Sequence, residues 1–166
     1  RREERNAPMI SATYNSPIGK LTLVSDGEAI AYLAFENNKY PIADAPRGTD
    51  KIIEKACKEL DAYFAGKLKS FTVPVRPEGT AFQVSAWKAL QKIPYGATRS
   101  YGEQAKAIGK PKAVRAIGAA NGRNPIPIII PCHRVIGADG SLTGFGGGMK
   151  TKQFLLELEQ GRARLL

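Results

Sequence analysis

Residues 100–121 read SYGEQAKAIGKPKAVRAIGAAN. Ser100 followed three residues later by Glu103 is a capping box, in which a hydroxyl and a carboxylate satisfy the unpaired amides at a helix start. A short helix is expected from there to Gly109. Lys110-Pro111 turns the chain, and a second helix is expected over about Lys112 to Asn121. Short helix, tight turn, short helix, with Lys and Arg throughout, has the form of a helix-turn-helix. Two packed core helices would read the same way. The second helix is rich in small residues: Ala113, Ala116, Gly118, Ala119 and Ala120. These let its backbone approach a partner surface or a neighbouring helix closely. Arg115 is the one long cation in their midst and a candidate to enter a groove.

Upstream, Thr80-Ala81-Phe82-Gln83 is another capping box, ahead of Phe82, Ala86, Trp87, Leu90 and Ile93 at helical spacing. Pro94-Tyr95-Gly96 is expected to stop that helix. The first half reads differently. A strand is expected over Ile10–Tyr14, closed by Asn15, Ser16 and Pro17. Leu21, Leu23 and Ile30 to Phe35 flank Asp26-Gly27, a hairpin signal. Thr49 or Asp50 caps a helix bearing Ile52, Ile53, Ala56, Cys57, Leu60, Tyr63 and Phe64 on one face. Cys57 there reads as a small buried hydrophobe. Gly66 ends the helix, and Phe71 to Val75 is expected to be extended. The chain opens on Arg1 rather than Met, and residues 1–8 are not expected to belong to the fold. Two domains follow, 1–77 and 78–166.

Downstream of the helix pair, Ile128 to Ile130 is an apolar run between Pro127 and Pro131. It is too short for a helix and reads as a buried extended segment. It delivers Cys132 and His133. Residues 143–148 form a glycine-rich loop without the spacing or the Lys-Ser/Thr ending of a P-loop. It suits close approach of backbone to a ligand. A last helix carries Phe154, Leu155 and Leu158, with Glu159 at the edge of that face. An acid there is either a solvated flank or a buried partner for something basic.

Composition bounds the function. Of 166 residues, 43% are hydrophobic and 24% charged, the balance of a folded globular chain. No apolar run reaches the ~20 residues of a membrane span. Two cysteines and one histidine cannot build a cysteine-rich zinc site or a disulfide framework. No metal or other cofactor is expected. The 25 Lys and Arg against 15 Asp and Glu give +10. Residues 1–77 hold 12 basic and 10 acidic groups, and residues 78–166 hold 13 and 5. The second half, with Lys88, Lys92, Arg99, Lys106, Lys110, Lys112, Arg115, Arg123, Arg134, Lys150 and Lys152, therefore points to a polyanion, most simply nucleic acid.

Cysteine reacts as the thiolate, and a histidine in reach takes the thiol proton while a carboxylate orients the imidazole. Cys132, His133 and Glu159 are the residues for such a set. With those residues in view, Ile130-Pro131-Cys132-His133-Arg134-Val135 closely resembles the active-site signature of the O6-alkylguanine-DNA alkyltransferases, and of their bacterial members in particular. The resemblance extends over Ser16–Leu23, Phe82–Ala89, Ile93–Gly96, Thr98–Gly102, Lys112–Gly118, Asn124-Pro125, Leu142–Gly148 and Leu155–Glu159.

The resemblance implies an α+β fold. A small three-stranded antiparallel sheet with a helix, ribonuclease H-like, precedes a mostly helical domain with a winged helix-turn-helix. It implies direct-reversal repair, with the alkyl group of O6-alkylguanine (also O4-alkylthymine) moved irreversibly to Cys132 in one turnover. His133 would act as base through a water and Glu159 would hold the imidazole. Asn124 would fix the active-site turn and Tyr101 would donate to the guanine ring nitrogen. Backbone groups of Cys132, Val135 and Gly146, beside Phe145, would read the base. The base would be flipped from duplex DNA bound through the minor groove. Arg115 would fill the vacated stack, and Ala113, Ala116, Gly118, Arg134 and Ser100 would lie at the DNA. The protein is expected to be a cytoplasmic monomer, nuclear in a eukaryote, with no membrane partner. Phe145 stands where members often have Tyr and Gly146 where some have Ser, and the zinc ligands of some relatives are missing. Two other readings remain: a non-catalytic sensor of alkylated DNA, and a cysteine hydrolase of unrelated fold.

Overall fold

The computed structural model describes residues 8–38, 42 and 44–161. It divides into two compact units between Pro77 and Glu78. Of the segment set aside above, residues 1–7 lie outside the described residues.

The first unit is an antiparallel sheet of β1 (Ile10–Ser16), β2 (Gly19–Ser25) and β3 (Ile30–Phe35), with β2 central. The β1–β2 ladder runs two residues past the expected end at Tyr14, through Asn15 opposite Lys20 and Ser16 opposite Gly19. Ser16 closes the turn itself. Its hydroxyl accepts from Ile18 N at 3.1 Å and donates to Gly19 O at 2.6 Å, which keeps Asn15 in the ladder. The β2–β3 turn forms at Asp26-Gly27, where Asp26 Oδ1 accepts from the amides of Glu28 and Ala29, both at 2.9 Å. Helix α1 (Lys51–Phe64) is capped by Asp50, whose Oδ1 accepts from Ile53 N at 2.8 Å. Ile53, Ala56, Leu60, Tyr63 and Phe64 are its buried residues. Cys57, expected inside, is only half-buried. The stretch Phe71–Val75 forms no strand and meets β3 at one bridge, Ile30 with Val75.

The second unit is built on three short helices, α2 (Ala81–Leu90), α3 (Tyr101–Ala107) and α4 (Val114–Gly122). Both capping boxes are present, Thr80 with Gln83 and Ser100 with Glu103. The contact of the three helices is made by Ala86, Ala105, Ile117 and Ala120, flanked by Phe82, Tyr101 and Ile108. Alanines at the crossing let the backbones close up. That brings Trp87 Nε1 to Ala120 O at 2.9 Å, and Gln104 and Asn121 into a reciprocal amide pair at 2.9 and 2.8 Å. Buried amides matched this way carry little desolvation penalty. Helix α4 starts two residues later than expected, because Ala113 N donates to Lys110 O and closes a turn over Pro111-Lys112. Helix α2 ends at Leu90, before the Pro94-Tyr95-Gly96 stop.

Two two-residue strands, β4 (Arg99–Ser100) and β5 (Val135–Ile136), pair in parallel. They hold the chain after Cys132 beside the start of α3. The last helix, α5 (Met149–Glu159), buries Leu155, Leu156, Leu158, Lys152 and Glu159. No helix among the described residues is long and apolar enough to cross a membrane.

Candidate active site

The segment before Cys132 is a turn, not the extended run expected from its three isoleucines. Ile130 N donates to Ile126 O at 2.9 Å, and Ile128 sits at φ 74°, in the left-handed region that β-branched residues avoid. Asn124 imposes this shape. Its Oδ1 accepts from Ile126 N at 2.9 Å and its Nδ2 donates to Ile130 O at 2.8 Å. One carboxamide thus clamps both ends of the turn. Pro131, at φ −82° and ψ 67°, makes an inverse γ-turn with Cys132 N donating to Ile130 O at 2.8 Å. Cys132, His133 and Arg134 then form a single turn of 3-10 helix, and all three are buried.

That turn faces α5. Glu159 accepts from His133 Nε2 at 2.6 Å on Oε2, and from Arg134 Nε at 2.7 Å on Oε1. Arg134 Nη2 adds a bond to Oε2 at 3.1 Å, and Nη1 donates to Ile93 O at 2.7 Å. Burial alone would raise the Glu159 pKa. The His133 hydrogen bond and the charge His133 carries when protonated, with the Arg134 hydrogen bonds and charge, outweigh it and hold the carboxyl at about 2. Glu159 is therefore an anion that only accepts, so Nε2 of His133 must carry the proton. Nδ1 is then the basic lone pair. It is buried and makes no hydrogen bond among the described residues. Burial also lowers the His133 pKa, against the pull of Glu159, with Arg134 and Lys152 adding to the decrease. The resting imidazole is neutral. Burial pushes the Cys132 thiol up to about 11, while the Asn124 side chain and the Lys152 charge act the other way. The site at rest is a protonated thiol with a neutral base beside it in sequence.

Lys152 was counted above among the cations of a basic surface; the structure puts it inside, 1% exposed. Its Nζ donates to Val135 O at 2.6 Å and to Thr143 O at 2.7 Å. Burial lowers its pKa, with Cys132 opposing. The Tyr101 hydroxyl reaches the same loop, 3.0 Å from Thr143 Oγ1 and 3.3 Å from Thr143 O. Phe145 is half-buried and Gly146 is exposed. A Cβ at Gly146 would meet open space, so crowding does not explain that glycine.

Arg134 is a second correction. It was expected at the DNA, but it is 7% exposed and bound on three nitrogens by Glu159 and Ile93. Its charge serves the carboxylate. Ser100 is half-buried and its hydroxyl caps α3. On α4, Arg115, Ala116 and Ala119 are exposed, Ala113 and Gly118 are partly so, and Ile117 and Ala120 face inward. Besides the exposed Val114 at the helix start, the outer face is thus a strip of small residues carrying one guanidinium. A Cβ on Gly118 would stand 4.0 Å from the Tyr101 ring, an ordinary contact. Thr143 and the inward role of Lys152 escaped the sequence reading. A signal existed for Lys152: it lies seven residues before Glu159 and in line with Leu155 and Leu156, on the apolar stripe of α5. Among the described residues no group of three or more His, Cys, Asp or Glu side chains could hold a metal ion.

Residues 9–77 match the ribonuclease-like domain of the 6-O-methylguanine DNA methyltransferase family, and residues 81–161 match its DNA-binding domain. A methylated-DNA-protein-cysteine methyltransferase of Methanosarcina acetivorans is 54% identical over 153 residues, 91% of this chain and 98% of that protein. One of Mycobacterium tuberculosis is 52% identical, covering 91% of this chain and 92% of that protein. The crystal structure of Mycobacterium tuberculosis OGT in complex with DNA superposes with a TM-score of 0.86 at 51% identity. The match covers 93% of this chain and 94% of that one.

Proposed function

The chain belongs to the 6-O-methylguanine DNA methyltransferase family, and from that membership we propose how its own residues repair O6-alkylguanine in DNA by direct reversal. The observation that carries the reading is the 2.6 Å bond between His133 Nε2 and Glu159, which leaves Nδ1 as a buried base one residue along the chain from a buried thiol. Nδ1 takes the Cys132 proton, through a water, and Glu159 stabilises the imidazolium. Sγ then attacks the saturated alkyl carbon. The sulfur–carbon bond forms, the carbon–O6 bond breaks, and its electron pair passes into the guanine. Tyr101 donates to the guanine ring nitrogen and aids departure. The thiol's proton is matched by the one guanine gains, so thiol plus O6-alkylguanine becomes thioether plus guanine. A thioether has no easy hydrolytic exit, so each molecule acts once. O4-alkylthymine fits the same chemistry.

Asn124 holds the turn that presents Cys132, and the carbonyls of Cys132 and Val135 with the amide of Gly146, beside Phe145, read the base edge. A base inside a duplex does not reach a buried thiol, so it is flipped out. The small-residue face of α4, with Ala113, Ala116 and Gly118, suits a minor groove only about 6 Å wide. Arg115 is the side chain on that face long enough to fill the vacated stack. The protein is read as a monomer acting where the DNA is, in the cytoplasm, or in the nucleus of a eukaryote. Intact-protein mass after mixing with duplex O6-methylguanine DNA tests the reading. A gain of one methylene, mapped to Cys132, is expected; an unchanged mass sinks it.

A further inference from the structure

We propose that Thr143 is a positioning residue for the transfer, its hydroxyl donating to the Tyr101 phenol oxygen while that phenol donates to the departing base. The inference rests on the reading of Tyr101 given above. Tyr101 lies 3.0 Å from Thr143 Oγ1 and 3.3 Å from Thr143 O. At rest the phenol O–H donates to Thr143 O, which leaves the 3.0 Å contact for the Thr143 hydroxyl to donate, and a bound base takes the phenol proton in place of the carbonyl. That carbonyl also accepts from Lys152 Nζ at 2.7 Å, on its other lone pair.

Lys152 explains why the hydroxyl stays in place. The loop after Thr143 carries Gly144, Gly146, Gly147 and Gly148, a sequence with little stiffness of its own. The buried ammonium ties Thr143 O to Val135 O, which it reaches at 2.6 Å. Val135 is fixed in turn by its pairing with Arg99, two residues before Tyr101. Tyr101, Thr143, Lys152 and Val135 thus form one connected chain of bonds around the place where the base is read. As the carbon–O6 bond breaks, the guanine ring nitrogen grows more basic and draws the phenol proton toward it. Negative charge gathers on the phenol oxygen, and a hydroxyl already aimed at that oxygen offsets it without reorganising. Thr143 keeps its own proton throughout, and the overall proton count is unchanged.

A double-mutant cycle isolates this coupling. Single-turnover rates with O6-benzylguanine are measured for the wild type, Thr143→Val, Thr143→Ser, Tyr101→Phe and the Val/Phe double variant. Thr143→Val is expected to be about tenfold slower, the cost of one hydrogen bond to a charging oxygen. Thr143→Ser, which keeps the hydroxyl, should remain within about threefold of wild type. In the Tyr101→Phe background, Thr143→Val should cause no further loss, because there is no phenol oxygen to support. An equal loss in both backgrounds would mean a merely structural loop effect and would overturn the proposal. So would a serine variant as slow as the valine one, or a valine variant as fast as wild type. A Tyr101→Phe protein that reacts at the wild-type rate while still alkylating Cys132 removes Tyr101 itself, and Thr143 with it. Failure of wild-type Cys132 to gain mass is a separate result, and it strikes the alkyl-transfer reading instead.

Discussion

Glu159 is 6% exposed and yet ionised, and two neighbours make this possible. Arg134 supplies a fixed counter-charge in a two-point pairing, and His133 contributes one N–H. The arrangement sets a neutral base beside a thiol that burial keeps protonated, up to about 11. The base must then take the thiol proton for Sγ to attack, and it decides the pH profile. In His133→Ala the rate at neutral pH should fall by about 10²–10⁴. The remaining rate should climb roughly tenfold per pH unit between about pH 7 and 9, as solvent makes the thiolate. The wild-type profile should be nearly flat over that range. Rates by quenched incorporation of alkyl label at several pH values separate the two shapes, and a flat profile in the variant would remove His133 as base. Glu159→Gln leaves Arg134 buried beside a neutral partner. Loss of one member of such a pair costs roughly 3–5 kcal/mol, which urea unfolding would register as a lower midpoint.

The helices show which features the sequence discloses and which it hides. Helix starts were legible because capping boxes are local: Thr80 with Gln83 and Ser100 with Glu103 bond as their spacing requires. The α3 half of the α3–turn–α4 unit was legible for the same reason, whereas α4, with no side-chain cap at Ala113, starts two residues later than expected. The turn at residues 126–130 was not. Three isoleucines favour extended backbone by propensity, whereas the Asn124 carboxamide, bonded at both ends, and the Ile130 N to Ile126 O bond hold Ile128 at φ 74°. Charge type misled twice, since Lys152 and Arg134 count as surface cations until α5 and the Cys132 turn are seen to enclose them. The role of α4 is separable from the chemistry. Arg115 is exposed and touches none of the Cys132, His133 and Glu159 bonds. Arg115→Ala should therefore slow repair of O6-methylguanine in duplex DNA far more than reaction with free O6-benzylguanine. Equal losses on the two substrates would take base flipping away from Arg115.

Across the whole molecule the charge has two separate consequences. The first is acid lability. The folded pKa of His133 is lowered by burial, and that of Glu159 is lowered to about 2. In each case the unfolded chain binds the proton more readily, so stability rises with pH across the window between the unfolded and folded values. As pH falls, the His133 contribution starts to go near its ordinary value of about 6.5. The Glu159 contribution follows from about pH 4.3 down to about 2. Glu159→Gln should lose the Glu159 part of this acid dependence, while Asp26 and Glu59, whose pKa values are also lowered, keep theirs. The second consequence concerns DNA. With Arg134 and Lys152 inside, the basic half meets a polyanion through fewer cations than its composition suggests. Lys112, exposed in the turn that enters α4, is a surface cation well placed for a phosphate. Removing one phosphate contact lowers the log–log salt slope of binding by roughly 0.9. Lys112→Ala should show that decrease in a titration of duplex binding against salt, with reaction on free O6-benzylguanine unchanged. An unaltered slope would place Lys112 outside the contact set. Lys152→Met should leave the slope alone and lower the unfolding midpoint, because its ammonium holds two backbone carbonyls and no phosphate.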